Sequence, residues 1–214
     1  MNRVRVRQHV NPLGIKYQTP VNSIDWEKIY VDRNQPLLLD IGCARGKFLF
    51  DMAQLEPECN FLGLEIREPL VQAANKTCSE LGLTNLHYIF CNANNSLKPI
   101  LSSLPQGILQ RVTIQFPDPW FKNRHAKRRV AQPELVAELA DYLPPGGIVF
   151  LQSDVKFVEQ EMCERFEENS NFQRQNKEWL AENPLPVATE RELFTLEKGE
   201  PVYRAVFTRV SVET

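Results

Sequence analysis

The stretch LLLDIGCARGKF, residues 37–48, decides the fold. Its opening run of leucines and isoleucine is too short for a helix and suits a strand buried on both faces. Asp40 interrupts the run near its end, and Gly42 and Gly46, spaced G-x-x-x-G, follow it. A strand that closes on an acid and turns through glycines into a helix is the opening unit of a parallel α/β sheet. Glycines at that turn let the backbone approach a ligand closely.

Outward from this unit, apolar bursts alternate with amphipathic stretches. Phe61 to Ile66, Leu86 to Cys91, Val112 to Phe116 and Ile148 to Gln152 read as further short strands, each flanked by Gly, Pro or Asn. Between Glu68 and Leu81 the residues Leu70, Ala73, Ala74, Thr77 and Leu81 share one helical face, with Pro69 suited to the first turn and Gly82 to the stop. A second helix is expected from Pro133. A third follows Asp154, a candidate N-cap, with Val155, Val158, Met162 and Phe166 on one face. The alternation predicts a mostly parallel sheet with helices on both faces, and Val202 to Arg209 reads as a late antiparallel strand. Residues 36–214 are expected to form a single domain, preceded by a basic N-terminal arm and lead-in at 1–35, where Arg3, Arg5 and Arg7 alternate with other residues.

Composition narrows the function. With 25 Lys and Arg against 27 Asp and Glu, net charge −2, a polyanion partner has to be met by a local patch. The five cysteines are odd in number and scattered without a CxxC pair, which reads as reduced core thiols rather than a disulfide framework or a metal site. No apolar run approaches the ~20 residues of a membrane span, and the basic N-terminus lacks the apolar stretch of a signal peptide. A cytoplasmic protein with neither metal nor membrane partner is expected.

Ligands of open parallel sheets sit beyond the carboxyl ends of the strands. Here those ends carry Asp40, then Glu65, 23 residues after Gly42, then Asn92. A dinucleotide site is disfavoured, because GxGxxG is absent and Asp40 would crowd a pyrophosphate. A cationic ligand suits the acid. S-adenosylmethionine fits, with its sulfonium and ammonium near Asp40, its ribose on Glu65 and its adenine near Asn92.

The fourth strand closes on FPDPWFKNRHAKRR, residues 116–129. Prolines on both sides of Asp118 stiffen its backbone. Trp120 and Phe121 are candidates for stacking a base, worth roughly 1–3 kcal/mol where it occurs. Lys122, Arg124, Lys127, Arg128 and Arg129 follow without an acid, and such a cationic run tracks phosphates without reading sequence.

FPDPWFKNRHAKRRVAQPEL resembles the signature of the bacterial tRNA (guanine-N(7)-)-methyltransferase family. The resemblance extends from about Leu37 to the final strand through the acid-x-Gly-x-x-x-Gly loop, GLEIR at 63–67, QSD at 152–154 and a TxxE at Thr189 to Glu192. It implies a Rossmann-like class I methyltransferase fold, S-adenosylmethionine as donor, and methylation of a guanine in the variable loop of tRNA. By the same resemblance Asp40, Glu65, Asn92 and Asp118 contact the donor, and Asp118 is the catalytic candidate. Lys122, Asp154, Thr189, Glu190, Arg191 and Glu192 are the implied substrate contacts. The sequence departs from the family pattern at Asp40, usually Glu, at Ala44, usually glycine, at Arg191, commonly Tyr or Phe, and at Asn92, often acidic.

Guanine N(7) carries a lone pair and no proton, so its direct methylation needs alignment more than a general base. The rival readings are an amino-directed nucleic-acid methyltransferase, whose proline-rich motif also ends in a stacking aromatic, and a non-catalytic RNA-binding module on a degenerate methyltransferase fold. A nicotinamide dehydrogenase is a more distant third.

Overall fold

The apolar runs separate into a sheet and its two coverings because each strand alternates its side chains between opposite faces. In the computed structural model, which describes residues 10–22 and 24–211, strand β1 spans Leu37–Ile41. Leu37, Leu39 and Ile41 enter one apolar cluster, and Leu38 enters the other. The chain continues through α1 (Lys47–Leu55), β2 (Asn60–Glu65), α2 (Glu68–Leu81), β3 (Leu86–Phe90), α3 (Ala93–Leu101) and β4 (Leu109–Gln115). It then forms α4 (Pro133–Tyr142), β5 (Ile148–Ser153), α5 (Lys156–Glu167), β6 (Phe172–Arg174), α6 (Glu190–Glu197) and β7 (Tyr203–Arg209).

The described strands form one sheet in the order β3-β2-β1-β4-β5-β7-β6. β1 through β5 pair in parallel, and β7 runs antiparallel to both β5 and β6. The expected sheet and its late antiparallel strand are therefore present. β6 was not expected: three residues carry no periodic signal, and the strand exists because the outer edge of β7 is there to pair with.

The helix from Glu68 to Leu81 has the expected bounds, with Pro69 in its first turn and Gly82 as a left-handed C-cap. The reading of Asp154 as a cap needs correction. α5 begins at Lys156 with Val155 as its N-cap and no side-chain capping bond, while the Ser153 hydroxyl accepts from Val155 N at 3.1 Å.

The described part of the lead-in packs onto the domain. Trp26 and Tyr30 are buried in the main core and stack at 5.8 Å. Trp26 Nε1 donates to Ser103 Oγ at 2.8 Å, and the Tyr30 hydroxyl donates to the Phe61 carbonyl at 2.9 Å. These bonds satisfy the polar ends of two rings whose bodies supply large apolar area. Arg3, Arg5 and Arg7 lie outside the described residues.

On the other face, Gly63 sits in register between Asp40 of β1 and Tyr88 of β3. The missing side chain leaves room for the Tyr88 ring, whose hydroxyl donates to the Gly46 carbonyl at 2.7 Å and props the glycine turn from below. A Cβ on Gly63 would come within 2.5 Å of that ring and 2.7 Å of Cys43 Sγ. Gly63→Ala is therefore expected to lower stability by roughly 1–3 kcal/mol, the usual cost of overpacking. Chemical denaturation checks this, and a midpoint equal to that of the unsubstituted chain would contradict the packing described.

Candidate active site

Strand order reverses at β1. The chain moves outward to β2 and β3 on one side, then returns to β4 and β5 on the other. The loops after β1 and β4 consequently diverge to opposite faces and leave a crevice at their carboxyl ends. A cleft of about 800 Å³ opens there, and its lining includes Asp40, Glu65, Asn92, Asp118, Asp154 and Thr189. The structure thus brings residues from six separate strand or helix ends to one cavity.

Asp40 is buried, and its Oδ1 accepts from the Thr113 hydroxyl at 2.6 Å and from Gln115 Nε2 at 3.4 Å. Burial raises its pKa to about 6, an effect opposed by the hydrogen bonds from Thr113 and Gln115 and reinforced by the nearby Glu65 charge. The turn above it is tightly wound. Gly42 and Gly46 have φ of 89° and 76°, and Ala44, between them, has φ 51°. That left-handed conformation suits glycine and costs an alanine on the order of 1 kcal/mol. A Cβ on Gly42 would meet nothing within 4 Å, so the turn leaves space for a ligand beside its backbone.

Glu65 is also buried. Its Oε2 accepts from Ala44 N at 3.0 Å and Arg67 Nη2 at 2.9 Å; its Oε1 accepts from Arg67 N and Nε, both at 2.8 Å. Arg67 closes GLEIR and lines the cleft, yet the sequence reading assigned it no role. Its position two residues beyond the acid was the available signal. Asn92 caps α3, its Oδ1 accepting from Asn94 N at 3.2 Å, and its Nδ2 donates to the Pro12 carbonyl at 3.2 Å. It is therefore a cap and a cleft residue together.

Asp118 lies half-buried on the cleft wall between Pro117 and Pro119. Two residues around it, Phe116 at φ 49° and Trp120 at φ 41°, hold left-handed backbone that large side chains rarely adopt. Such strain is maintained only where surrounding contacts dictate it. Arg128 lies over the Trp120 ring at 4.8 Å, and His125 meets the same ring edge-on at 5.5 Å. Phe121 is exposed beside Phe157, with ring centroids 5.6 Å apart.

The cationic run divides. Lys122, Arg124 and Lys127 are exposed. Arg129 instead turns inward: it pairs with Glu161, donates to the Trp120 carbonyl at 3.1 Å and lies over Phe157 at 5.4 Å. In this arrangement it braces the segment, while Lys122, Arg124 and Lys127 hold the exposed positions.

The TxxE residues divide as well. Thr189 caps α6, accepting from Glu192 N at 3.1 Å. Thr189, Glu190 and Arg191 line the cleft, and Arg191 forms an ion pair with Asp154 across its mouth. Glu192 does not reach the cleft. It is 1% exposed, and its carboxylate accepts from Arg204 Nη2 at 2.7 Å, Asn183 Nδ2 at 2.7 Å and Gln152 Nε2 at 3.2 Å. These bonds tie the start of α6 to β5 and β7.

Residues 34–205 match a family described as putative methyltransferase. The chain is 69% identical over 209 residues to the tRNA (guanine-N(7)-)-methyltransferase of Trichormus variabilis, covering 97% of both chains. The chain belongs to the tRNA (guanine-N(7)-)-methyltransferase family. A second relative with that name, from Synechococcus elongatus, is 62% identical and covers 98% of both chains. The fold of the family is also that of an rRNA methylase from Streptococcus thermophilus, at 13% identity with a TM-score of 0.54, covering 83% of this chain and 89% of that one. Among the described residues no group of three or more His, Cys, Asp or Glu is placed to hold a metal, and no helix is long and apolar enough to cross a membrane.

For this methyltransferase the state of Asp40 links the site to stability. Its folded pKa of about 6 stands above its ordinary value of 3.8. The folded protein therefore binds the extra proton between those values, and stability declines as pH rises through about 6. Asp40→Asn is expected to abolish that decline, leaving the variant more stable than the parent at pH 7.5 by on the order of 1–3 kcal/mol, with the difference shrinking toward pH 4. Urea denaturation at the two pH values checks this; an equal effect at both would contradict it.

Proposed function

We propose that the cleft binds S-adenosylmethionine and a tRNA guanine together, and that the protein methylates N(7) of that guanine, in the variable loop as the resemblance implies. The observation that carries this reading is the convergence of Asp40, Glu65 and Asp118, from the ends of three strands, on one cavity beside an exposed cationic segment. The donor, when bound, supplies an electrophilic methyl group on a sulfonium. The residues present suit it: acids for its two positive centres and ribose, and an open glycine turn for its backbone approach.

Asp40 would hold the donor's ammonium, and Glu65 would accept from the ribose hydroxyls once Arg67 shifts from its present bonds. Gly42 and Gly46 shape the turn, and Asn92 offers its amide oxygen to the adenine amino group. Asp118 is the catalytic residue of this reading. Its carboxylate, on the cleft wall, would stabilise the positive charge that passes to the purine, without removing a proton. The stiff, strained segment around it limits its freedom, which favours alignment of the nucleophile with the methyl group.

The guanine is read at its edges. Lys122 is suited to donate to O6. Asp154 is suited to the N1 and amino edge once Arg191 releases it, and Thr189 and Glu190 complete that rim. Arg124, Lys127 and Arg128 would follow the RNA backbone, with Trp120 or Phe121 as a base platform.

Asp118→Ala is expected to lower kcat/KM for methyl transfer by about 100-fold or more, the scale of a lost electrostatic contact, while tRNA binding by filter retention changes little. Arg124→Ala combined with Lys127→Ala is expected to do the reverse, weakening tRNA binding and flattening its log–log salt dependence by about 1.5–2. Equal loss of both properties in both proteins would sink this division of roles.

A further inference from the structure

The sheet register places a row of polar side chains beneath the cleft. Arg204 of β7 pairs in register with Gln152 of β5, which pairs with Gln115 of β4. Residues paired across a sheet point to the same face. Asp40 pairs with Thr113, two residues before Gln115, so Asp40 and Gln115 are diagonal neighbours on that face. All five side chains are buried. Gln152 and Arg204 are shut off from solvent and Gln115 nearly so, so each amide has to be turned to suit its neighbours.

That requirement fixes a direction. Arg204 has only donors: Nη2 donates to Glu192 Oε1 at 2.7 Å, Nη1 to the Ala181 carbonyl at 3.0 Å, and Nε to Gln152 Oε1 at 3.3 Å. Gln152 must therefore present oxygen to Arg204. Its Nε2 then faces Glu192 Oε2 at 3.2 Å and Gln115 Oε1 at 2.7 Å. Gln115, accepting on its oxygen, is left with its NH2 toward Asp40 Oδ1, at 3.4 Å.

We propose that Gln152 is a positioning residue for the donor-binding acid: through Gln115 it delivers a fixed N–H donor to Asp40 and keeps that carboxylate ionised and oriented. Both donors to Asp40 take Oδ1, which leaves Oδ2 for a ligand entering the cleft. The relay starts at Glu192 of α6, the helix whose N-cap Thr189 and first residues Glu190 and Arg191 also line the cleft. Gln152 thus ties the geometry of the donor acid to the element that borders the substrate. The proposal rests on the reading that Asp40 holds S-adenosylmethionine.

Desolvation opposes ionisation of Asp40, and the Gln115 bond works against that penalty. The other titratable groups that act on Asp40 or feel its charge are Glu65 on β2, Cys43 in the glycine turn and Tyr88 on β3. Two of these, the Cys43 thiol and the Tyr88 hydroxyl, are themselves pushed up by burial. Hydrogen-bond donors, rather than a neighbouring cation, are what the relay supplies.

The test follows the Asp40 carboxyl carbon by NMR during a pH titration of the ligand-free protein, alongside calorimetric binding of S-adenosylmethionine. Gln152→Leu is expected to move the Asp40 midpoint upward by roughly half to one pH unit, and to weaken donor binding at pH 6.5 about three- to tenfold. Gln115→Leu, which leaves the Arg204–Glu192 pair and Gln152 in place, is expected to move it in the same direction and covers the case in which Gln152→Leu does not fold. An unchanged midpoint in the folded variant, even with a lowered melting temperature, would overturn the relay and leave Gln152 a packing residue. Asp40→Asn with undiminished donor affinity would instead overturn the assignment of the donor site, an outcome separate from the midpoint shift.

Discussion

The reversal of strand order at β1 is the constraint on which everything else in this molecule depends. The crossovers between parallel strands set α1 and α2 against one apolar cluster and α3 and α4 against the other, which α5 joins, so the connections part at β1. Two strand ends are left side by side without a roof. The glycine turn after β1 and the Pro-Asp-Pro segment after β4 line the gap that results.

Filling that gap with acids carries a cost that the surrounding structure offsets. Asp40 and Glu65 are both nearly inaccessible, yet neither is left without donors: Thr113 and Gln115 serve one, Ala44 and Arg67 the other. A buried carboxylate so supported is pre-arranged to receive a cation or a hydroxyl with little reorganisation. The strained backbone at Ala44, Phe116 and Trp120 falls on the same rim. Rigidity is concentrated where alignment matters, which suits a reaction whose nucleophile needs no proton removed.

The strands were legible in the sequence because each is a short apolar run bounded by turn residues, and the acids were legible because they close those runs. Side-chain destinations were less so. Glu192 closes a TxxE, and the placement of Arg204 on β7, with Gln152 and Asn183, draws it inside. Arg129 reads as one cation among five until α5 supplies Glu161. Gln115 and Gln152 carry no motif of their own; their connection exists only in the register between β4 and β5. Trp26 and Tyr30 lie in a stretch without periodicity and become core residues through contacts distant in sequence. Local pattern predicts elements, whereas long-range pairing decides which polar groups meet.

The central claim is that this cleft aligns a sulfonium methyl group with an unprotonated purine nitrogen. Its most direct test is incubation of the protein with isotope-labelled S-adenosylmethionine and unmodified tRNA, followed by digestion to nucleosides and separation of the labelled product. The account predicts that the label co-migrates with 7-methylguanosine. Label on an exocyclic amine or a ribose oxygen, positions that must lose a proton when methylated, would contradict it.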